Sequence, residues 1–335
     1  MDSVTQFLLG ASVSGAVIGP KMGIRALLIG GIVATLPDLD AFVPMGNAID
    51  TMTHHRGATH SVLMQTLAAP VIAFAVSRFV ADARANGKLF LLTVWLCLVT
   101  HSLLDSLTTY GTQILWPLEI GPPAAYASVF IIDPLYSVLV LVGLVLFLVW
   151  RRQPARAVRG NRLLLLAATI YLGLGMVGHG VVMARAKADP AFAGLSLQVQ
   201  PTPFNIVVWQ VLGIADDRYV VGLTNLTHAC PISAVSSHPR LAKSPAGLSR
   251  TPSVQRFEWF TDGFYSYQER PGMIAVTDLR MGFHPNFVFS FDIAERDGDK
   301  VMPIEPRRVA LSAPRTELIK NLFAEIDRTF RSCPA

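Results

Sequence analysis

Charged residues and cysteines are both scarce in this chain. Only 15% of its 335 residues are charged, against roughly 25% in soluble proteins, while 52% are hydrophobic. This balance excludes a disordered or purely soluble protein. The three cysteines form no C-x-x-C pair, which excludes a disulfide-dense scaffold and a thiolate zinc finger. The composition therefore predicts a membrane protein.

The charge that is present lies mostly in the second half. Residues 1–184 hold 11 Lys or Arg and 8 Asp or Glu, whereas residues 188–335 hold 15 of each. We therefore expect a helical membrane domain over residues 1–184 and a soluble α+β domain over residues 185–335. The basic residues of the first domain flank apolar runs, which is a topology signal, so we expect no nucleic-acid partner.

Six apolar runs predict about six transmembrane helices, since a span needs roughly 20 residues, with a range of 17–25. The runs are residues 4–19, 22–36, 61–80, 88–104, 134–150 and 163–183. One alternate set of connections holds ten Lys or Arg, and the other holds only Arg56. Positively charged connections stay in the cytoplasm. We therefore expect a multi-pass protein whose residues 185–335 lie in the periplasm.

Strand-like patterns predict the β part of the second domain. They cover residues 204–212, 217–225, 273–279 and 287–293, with a long exposed loop at 231–252 and an amphipathic helix at 314–330. Cys230 and Cys333 would both lie in an oxidising compartment, where thiols tend to pair. We expect a disulfide bond between them, with two unpaired thiols as the alternative.

Two acidic residues follow the second apolar run. Pro37 ends that run, and Asp38 and Asp40 lie directly after it in the segment LPDLD. Carboxylates at the edge of the hydrocarbon are costly unless they are paired, hydrated or bound to a cation. The alternative is a polar turn that ends a helix.

Histidines are concentrated on the same predicted side of the membrane. His54, His55 and His60 surround Arg56 before the third run, and His101 precedes Asp105 by one helical turn at the end of the fourth. Imidazole is the commonest metal ligand, and residues four apart share a helix face. A hydrogen bond between His101 and Asp105 at a helix end is the alternative.

Together these motifs predict a divalent-metal site. Oxygen and nitrogen ligands of this kind suit Zn²⁺, with Mn²⁺ or Fe²⁺ as alternatives. Asp40 could serve as a general base, and Arg56 could stabilise an anionic transition state. The candidate ligands are Asp38, Asp40, His55, His60, His101 and Asp105.

Five segments, taken together, resemble the YdjM/YbcI family of bacterial inner-membrane metal-dependent hydrolases. They are Met1–Gln6 with Gly10, LPDLD at 36–40, HRGATHS at 55–61, HSLLDSLTTYG at 101–111 and IDPLY at 132–136. A DLR segment at 278–280 extends the resemblance weakly. The resemblance implies the same six metal-site candidates, although many members have His where this chain has Gln6. A more distant similarity to helical zinc-dependent phospholipases C points to phosphoester substrates.

The function that we expect is hydrolysis of an ester or phosphoester at the periplasmic face of the bacterial inner membrane. The substrate would be a small molecule or a lipid-linked compound, and the bilayer itself would be the other partner. One alternative is a non-catalytic metal-binding sensor or assembly factor. A transporter is disfavoured because the candidate residues lie at helix ends rather than at midplane.

Overall fold

The computed structural model divides the chain into two compact units. It describes residues 1–118, 120–227, 232–245, 248, 251–298, 300–310, 323–324 and 327. The first unit contains Met1–Val43, Arg56–Met176 and Pro203–Asn205, and the second contains Pro44–His55, Val177–Thr202 and Ile206–Ala335.

The first unit is helical. Its α-helices are α1 (Ser3–Val17), α2 (Gly19–Met22), α3 (Ile24–Thr35), α5 (Val62–Phe79), α6 (Ala81–Ala85), α7 (Gly87–Ser106), α8 (Pro134–Val149) and the first part of α9 (Pro154–Ala188), while α4 (Ala48–His54) belongs to the second unit. Two short 3₁₀ helices, Pro37–Phe42 and Ala58–His60, follow α3 and precede α5.

In the part of the chain that the structure describes, three helices are long and apolar enough to cross a membrane. They are α5, α7 and α9, with 18, 20 and 35 residues. The apolar helices α1, α3 and α8 have only 15, 12 and 16 residues. A 12-residue helix is about 18 Å long, against about 30 Å of hydrocarbon. The structure therefore does not support the six full spans that the sequence predicted.

Chain breaks explain why the first apolar runs give short helices. Gly23, which separates α2 from α3, has a φ of +56°, a conformation that few residues other than glycine adopt. Pro37 follows α3 and opens a 3₁₀ helix. Proline has no backbone N–H, so it cannot donate the next hydrogen bond of the helix. A hydropathy profile shows the apolar run but does not show these two interruptions of the helix.

Helix α1 packs very closely against α3. A Cβ atom at Gly10 would lie 2.4 Å from the Gly30 carbonyl oxygen, and one at Gly30 would lie 2.2 Å from the Ser14 Cβ. Small residues permit this approach between apolar helices. On its other side α1 meets α7, where the Cys97 thiol donates to the Gly10 carbonyl. This packing brings the start of α1 to the end of α7.

The second unit is built on antiparallel sheets. Its strands are β1 (Ser196–Pro201), β2 (Val208–Ile214), β3 (Arg218–Asn225), β4 (Ser233–Pro239), β5 (Tyr265–Arg270), β6 (Met273–Asp278), β7 (Gly282–Phe283), β8 (Asn286–Phe287), β9 (Ser290–Asp297) and β10 (Lys300–Arg308). One sheet has the order β1–β2–β3–β4 and the other β10–β9–β6–β5, and β7 pairs with β8 in a short hairpin.

Helices of the second unit pack beside these sheets. The end of α9 contributes Val182 and Ala186 to a core around Trp209 and Phe192. Asn47 precedes helix α4, and its side chain caps that helix and donates to the hydroxyl of Ser253 in α10 (Pro252–Phe260).

The predicted loop at 231–252 is wrong in its first part, because β4 occupies Ser233–Pro239 and pairs with β3. β4 lies at the edge of its sheet and is largely exposed, and edge strands carry polar residues more often than buried ones. The predicted disulfide between Cys230 and Cys333 lies outside the described residues, as does most of the predicted helix 314–330.

Candidate metal centre

Four side chains from three segments of the chain converge in the first unit. Asp38 follows α3, His60 precedes α5, and His101 and Asp105 lie one turn apart near the end of α7. One potential ligand atom from each residue lies within 4.8 Å of all the others. His60, His101 and Asp105 are fully buried, and the Asp38 side chain is 14% exposed. Among the four, Asp38 therefore lies nearest to the solvent side of the cluster.

The spacing of the donor atoms can be compared with that of a metal coordination shell. The two Nε2 atoms lie 3.0 Å apart. Each is 3.5 Å from Asp38 Oδ1, and they lie 3.3 and 3.5 Å from Asp105 Oδ2. Ligands bound tetrahedrally to Zn²⁺ at about 2.0–2.2 Å are roughly 3.3–3.6 Å from one another. The distances that involve a histidine nitrogen therefore lie near those of a shell around one small divalent ion, and all four donor atoms lie within 4.8 Å of one another.

The surroundings of Asp105 also favour a cation. Its Oδ1 accepts from the Gln6 amide at 3.0 Å and contacts the amino group of Met1. Its Oδ2 lies 3.2 Å from Arg56 Nε, but it is buried without an aligned hydrogen bond from any described residue. Burial of such an oxygen is costly unless its charge and its hydrogen-bonding capacity are compensated, and a metal ion would add to the compensation that Arg56 gives.

A chain of hydrogen bonds fixes the ring of His60. The Thr59 hydroxyl donates to Asp40 Oδ2 at 2.6 Å, so its oxygen is left to accept from His60 Nδ1, 2.9 Å away. A proton on Nδ1 leaves the Nε2 lone pair free for a metal ion. No described residue is within hydrogen-bonding reach of His101 Nδ1, so this support belongs to His60 alone.

The cluster shifts the protonation of its outer members. Burial alone would raise the pKa of Asp38, but the neighbouring imidazoles of His101 and His60 hold it well below its usual range. Burial would lower the pKa of His60, but the carboxylates of Asp105 and Asp38 raise it. The carboxylate of Asp38 is therefore ionised, as metal ligation requires.

The structure separates the six residues predicted as ligands. It brings together Asp38, His60, His101 and Asp105. Asp40 lies on the opposite side of the His60 ring, with its Oδ2 3.6 Å from Nδ1. His55, the residue directly after α4, is not part of the cluster. Its predicted role as a ligand has no support in this geometry.

Arg56 lies beside the cluster in an unusual backbone conformation. Its φ is +63°, a backbone conformation that is costly for residues other than glycine. Residues held in such conformations are concentrated at functional sites. Its backbone N–H donates to Asp40 Oδ2, and its Nη1 donates to the Thr108 hydroxyl. The guanidinium also lies 5.0 Å from the centroid of the Tyr110 ring. These contacts fix Arg56 against Asp105.

Gln6 belongs to this site although the sequence analysis gave it no role. It is fully buried, and its amide donates to Asp105 Oδ1 and, at 3.3 Å, to the His101 carbonyl. A buried polar side chain in an otherwise apolar helix is the signal that could have identified it. Asp133, by contrast, caps α8 and accepts from the Tyr171 hydroxyl.

These observations define a class, a membrane protein with transmembrane helices and a buried Asp/His cluster that could bind a metal ion. Within that class the chain belongs to the YdjM inner membrane protein family, whose model matches residues 1–182. This confirms the resemblance found in the motifs.

Comparison with a curated protein agrees with this membership. The chain is similar to the inner membrane protein YbcI of Escherichia coli (strain K12), with 36% identity over 112 residues. That match covers 32% of this chain and 61% of the relative, so the chain spans about three fifths of the relative's length. No solved structure matches the chain.

Proposed function

We propose that this protein is a membrane-bound metal-dependent hydrolase that acts on an ester or phosphoester. The observation that carries the proposal is the convergence of four ionisable side chains with the mutual spacing of a coordination shell. A bound Zn²⁺ would polarise the scissile bond and lower the pKa of a water molecule. Zn²⁺ is the metal that we propose, because a set of two imidazoles and two carboxylates suits it.

The residues of the chain would divide the remaining work. Asp38 would bind the metal on the side where water enters, since its side chain alone among the four reaches solvent, and its lowered pKa suits it to ligation rather than to proton transfer. Asp40 accepts two hydrogen bonds behind His60, and this position fits an orienting role better than the general-base role predicted from sequence. Arg56 would stabilise an anionic transition state beside Asp105.

The surface around the cluster supports a lipid or lipid-linked substrate. Leu39 and Phe42, on either side of Asp40, are 53% and 83% exposed. The segment that follows α7 adds Leu115, Leu118 and Ile120, each more than half exposed. Apolar side chains exposed to this degree beside a charged site are typical of a membrane or ligand contact. An acyl chain could lie against them while its polar ester approaches Asp38.

Hydrolysis is tested with the full-length protein purified in detergent, depleted of metal by chelation and reloaded with Zn²⁺. We expect release of phosphate esters or fatty acid from phosphatidylglycerol vesicles only after reloading. His101→Gln should abolish this release because it removes a donor from the cluster. His54→Gln is the matched control, since His54 lies in α4 and bonds to the Asp50 carbonyl.

A full complement of Zn²⁺ with no turnover of phosphodiester or acyl-ester substrates would contradict the hydrolase. That result would favour the second candidate function of the same cluster, metal binding without catalysis.

We also propose that the protein crosses the membrane several times, with residues 185–335 in the periplasm. The proposal counts the short apolar helices α1, α3 and α8 as crossings beside α5, α7 and α9, and its support is the ten-to-one bias of Lys and Arg between the alternate connections of these six apolar runs. An alkaline phosphatase reporter, active only in the periplasm, should therefore be active when fused after Ala335, and a green fluorescent reporter at the same position should stay dark. The opposite pair of results would overturn the orientation.

A further inference from the structure

A basic cavity lies at the other end of the helices that lead to the metal cluster. It has a volume of about 580 Å³, within the range of roughly 300–1,000 Å³ typical of small-ligand sites. Its lining includes Gly23 and Ile24 at the start of α3, whereas Asp38 follows the end of that helix. The 12 residues of α3 put about 18 Å between the two sites. The cavity is therefore separate from the candidate metal centre.

Three arginines and no acidic residue line this cavity. Arg25 is paired with Asp82 at 3.0 Å, and both side chains are exposed. Arg151 and Arg152, in the turn between α8 and α9, form no side-chain hydrogen bond or ion pair within the described part of the chain. Basic residues near a membrane are expected from topology, but topology does not require two free guanidinium groups around one cavity.

The cavity also adjoins an apolar surface. Val145, Leu148 and Val149, in the last turns of α8, are 46%, 43% and 68% exposed. Arg151 and Arg152 follow directly after Trp150, and tryptophan is enriched at the level of lipid headgroups. Inside the cavity, Phe147 provides a buried aromatic wall. A ligand here would meet positive charge at one end and hydrocarbon-facing side chains at the other.

We propose that this cavity binds the phosphate headgroup of an anionic phospholipid. Arg151 and Arg152 hold the phosphodiester, for which guanidinium groups are well suited. The acyl chains lie along the exposed face of α8. The lipid headgroup and free inorganic phosphate are both phosphate anions, so the arginines alone do not distinguish them. The exposed apolar face of α8 beside the cavity favours the lipid over free phosphate. The site is independent of the hydrolase proposal, because none of its lining residues belongs to the Asp/His cluster.

The test is native mass spectrometry of the detergent-purified full-length protein titrated with phosphatidylglycerol or phosphatidylcholine. We expect the unmodified protein to retain phosphatidylglycerol preferentially. Arg151→Gln with Arg152→Gln should lower its affinity for phosphatidylglycerol on the order of tenfold or more, since each basic residue near an anionic surface contributes roughly fivefold. Both arginines are exposed, so this variant should fold.

The matched control is Arg156→Gln with Arg159→Gln, which removes the same charge from the next turn of the chain, also at exposed positions, but from outside the cavity. This control should keep the preference for phosphatidylglycerol. An equal loss in both double variants would mean that charge alone attracts the lipid, and would overturn the site. Displacement of the lipid by millimolar inorganic phosphate would instead identify a free anion as the ligand, and would overturn the lipid assignment.

Discussion

Replacing Asp105 by asparagine is expected to lower the Zn²⁺ affinity of the purified protein by roughly 100-fold or more. Loss of a residue that only supports a ligand costs about 10- to 100-fold, and Asp105 is itself one of the four converging donors. The amide keeps the shape of the side chain and removes its charge. Competition with a chromophoric chelator measures the change directly.

The structural cost of this substitution must be separated from the loss of a ligand. Asp105→Asn would leave the buried Arg56 without its carboxylate partner, and breaking a buried pair can cost about 3–5 kcal/mol. Asp38→Asn removes a donor that does not contact Arg56, so it should lower the affinity while the fold is kept. Asp133→Asn is the control, because Asp133 is equally buried but caps α8 outside the cluster. If Asp105→Asn and Asp38→Asn bound Zn²⁺ as tightly as the control Asp133→Asn, the metal site would lie elsewhere.

Replacing Thr59 by valine is expected to lower the Zn²⁺ affinity by about 10- to 100-fold. The valine removes the hydroxyl that links His60 Nδ1 to Asp40, so the ring loses its orientation and its preferred tautomer. Tenfold corresponds to about 1.4 kcal/mol of binding free energy. Isothermal titration of the metal-depleted protein measures the affinity.

Two further variants separate this role from simple packing. Thr59→Ser keeps the hydroxyl and should restore most of the affinity. Thr169→Val removes an exposed hydroxyl that donates to the Leu165 carbonyl of its own helix α9, and it should leave the affinity unchanged. If the Thr59→Val variant bound Zn²⁺ as tightly as the unmodified protein, Asp40 would not act on His60 through the Thr59 hydroxyl.

Much of the candidate site could be predicted from sequence because its residues lie at helix ends. His101 and Asp105 are one turn apart, so they share a face wherever α7 packs. Asp38 and Asp40 could not be separated in this way. In a 3₁₀ helix of three residues per turn, positions two apart face different directions. One carboxylate therefore meets Nε2 of His60 and the other lies near Nδ1.

Tertiary contacts decided what the sequence left open. The left-handed conformation of Arg56 depends on its bonds to Asp40 and Thr108, and neither is a neighbour in sequence. Gln6 reaches Asp105 only because α1 packs against α7. His55 shares a motif with His60 but directly follows α4, so its position in the motif was not informative about the cluster.

The second unit shows a similar division. The strands at 217–225 and 273–279 were predicted closely, since β3 and β6 have the buried, β-branched pattern that marks a central strand. The four edge strands β1, β4, β5 and β10 were missed. β10 contains Pro303 and Pro306, and proline within a strand is tolerated mainly at an edge. Edge position depends on the whole sheet, so local pattern does not reveal it.

The most direct test of the account is X-ray absorption spectroscopy at the zinc edge of the loaded full-length protein. Two imidazoles and two carboxylate oxygens from His60, His101, Asp38 and Asp105 should give only nitrogen and oxygen neighbours, at about 2.0–2.2 Å. The imidazole scattering should fall to that of one ring in His101→Gln. A sulfur neighbour at about 2.3 Å, or two imidazoles that persist in this variant, would contradict the assignment of the metal to this cluster.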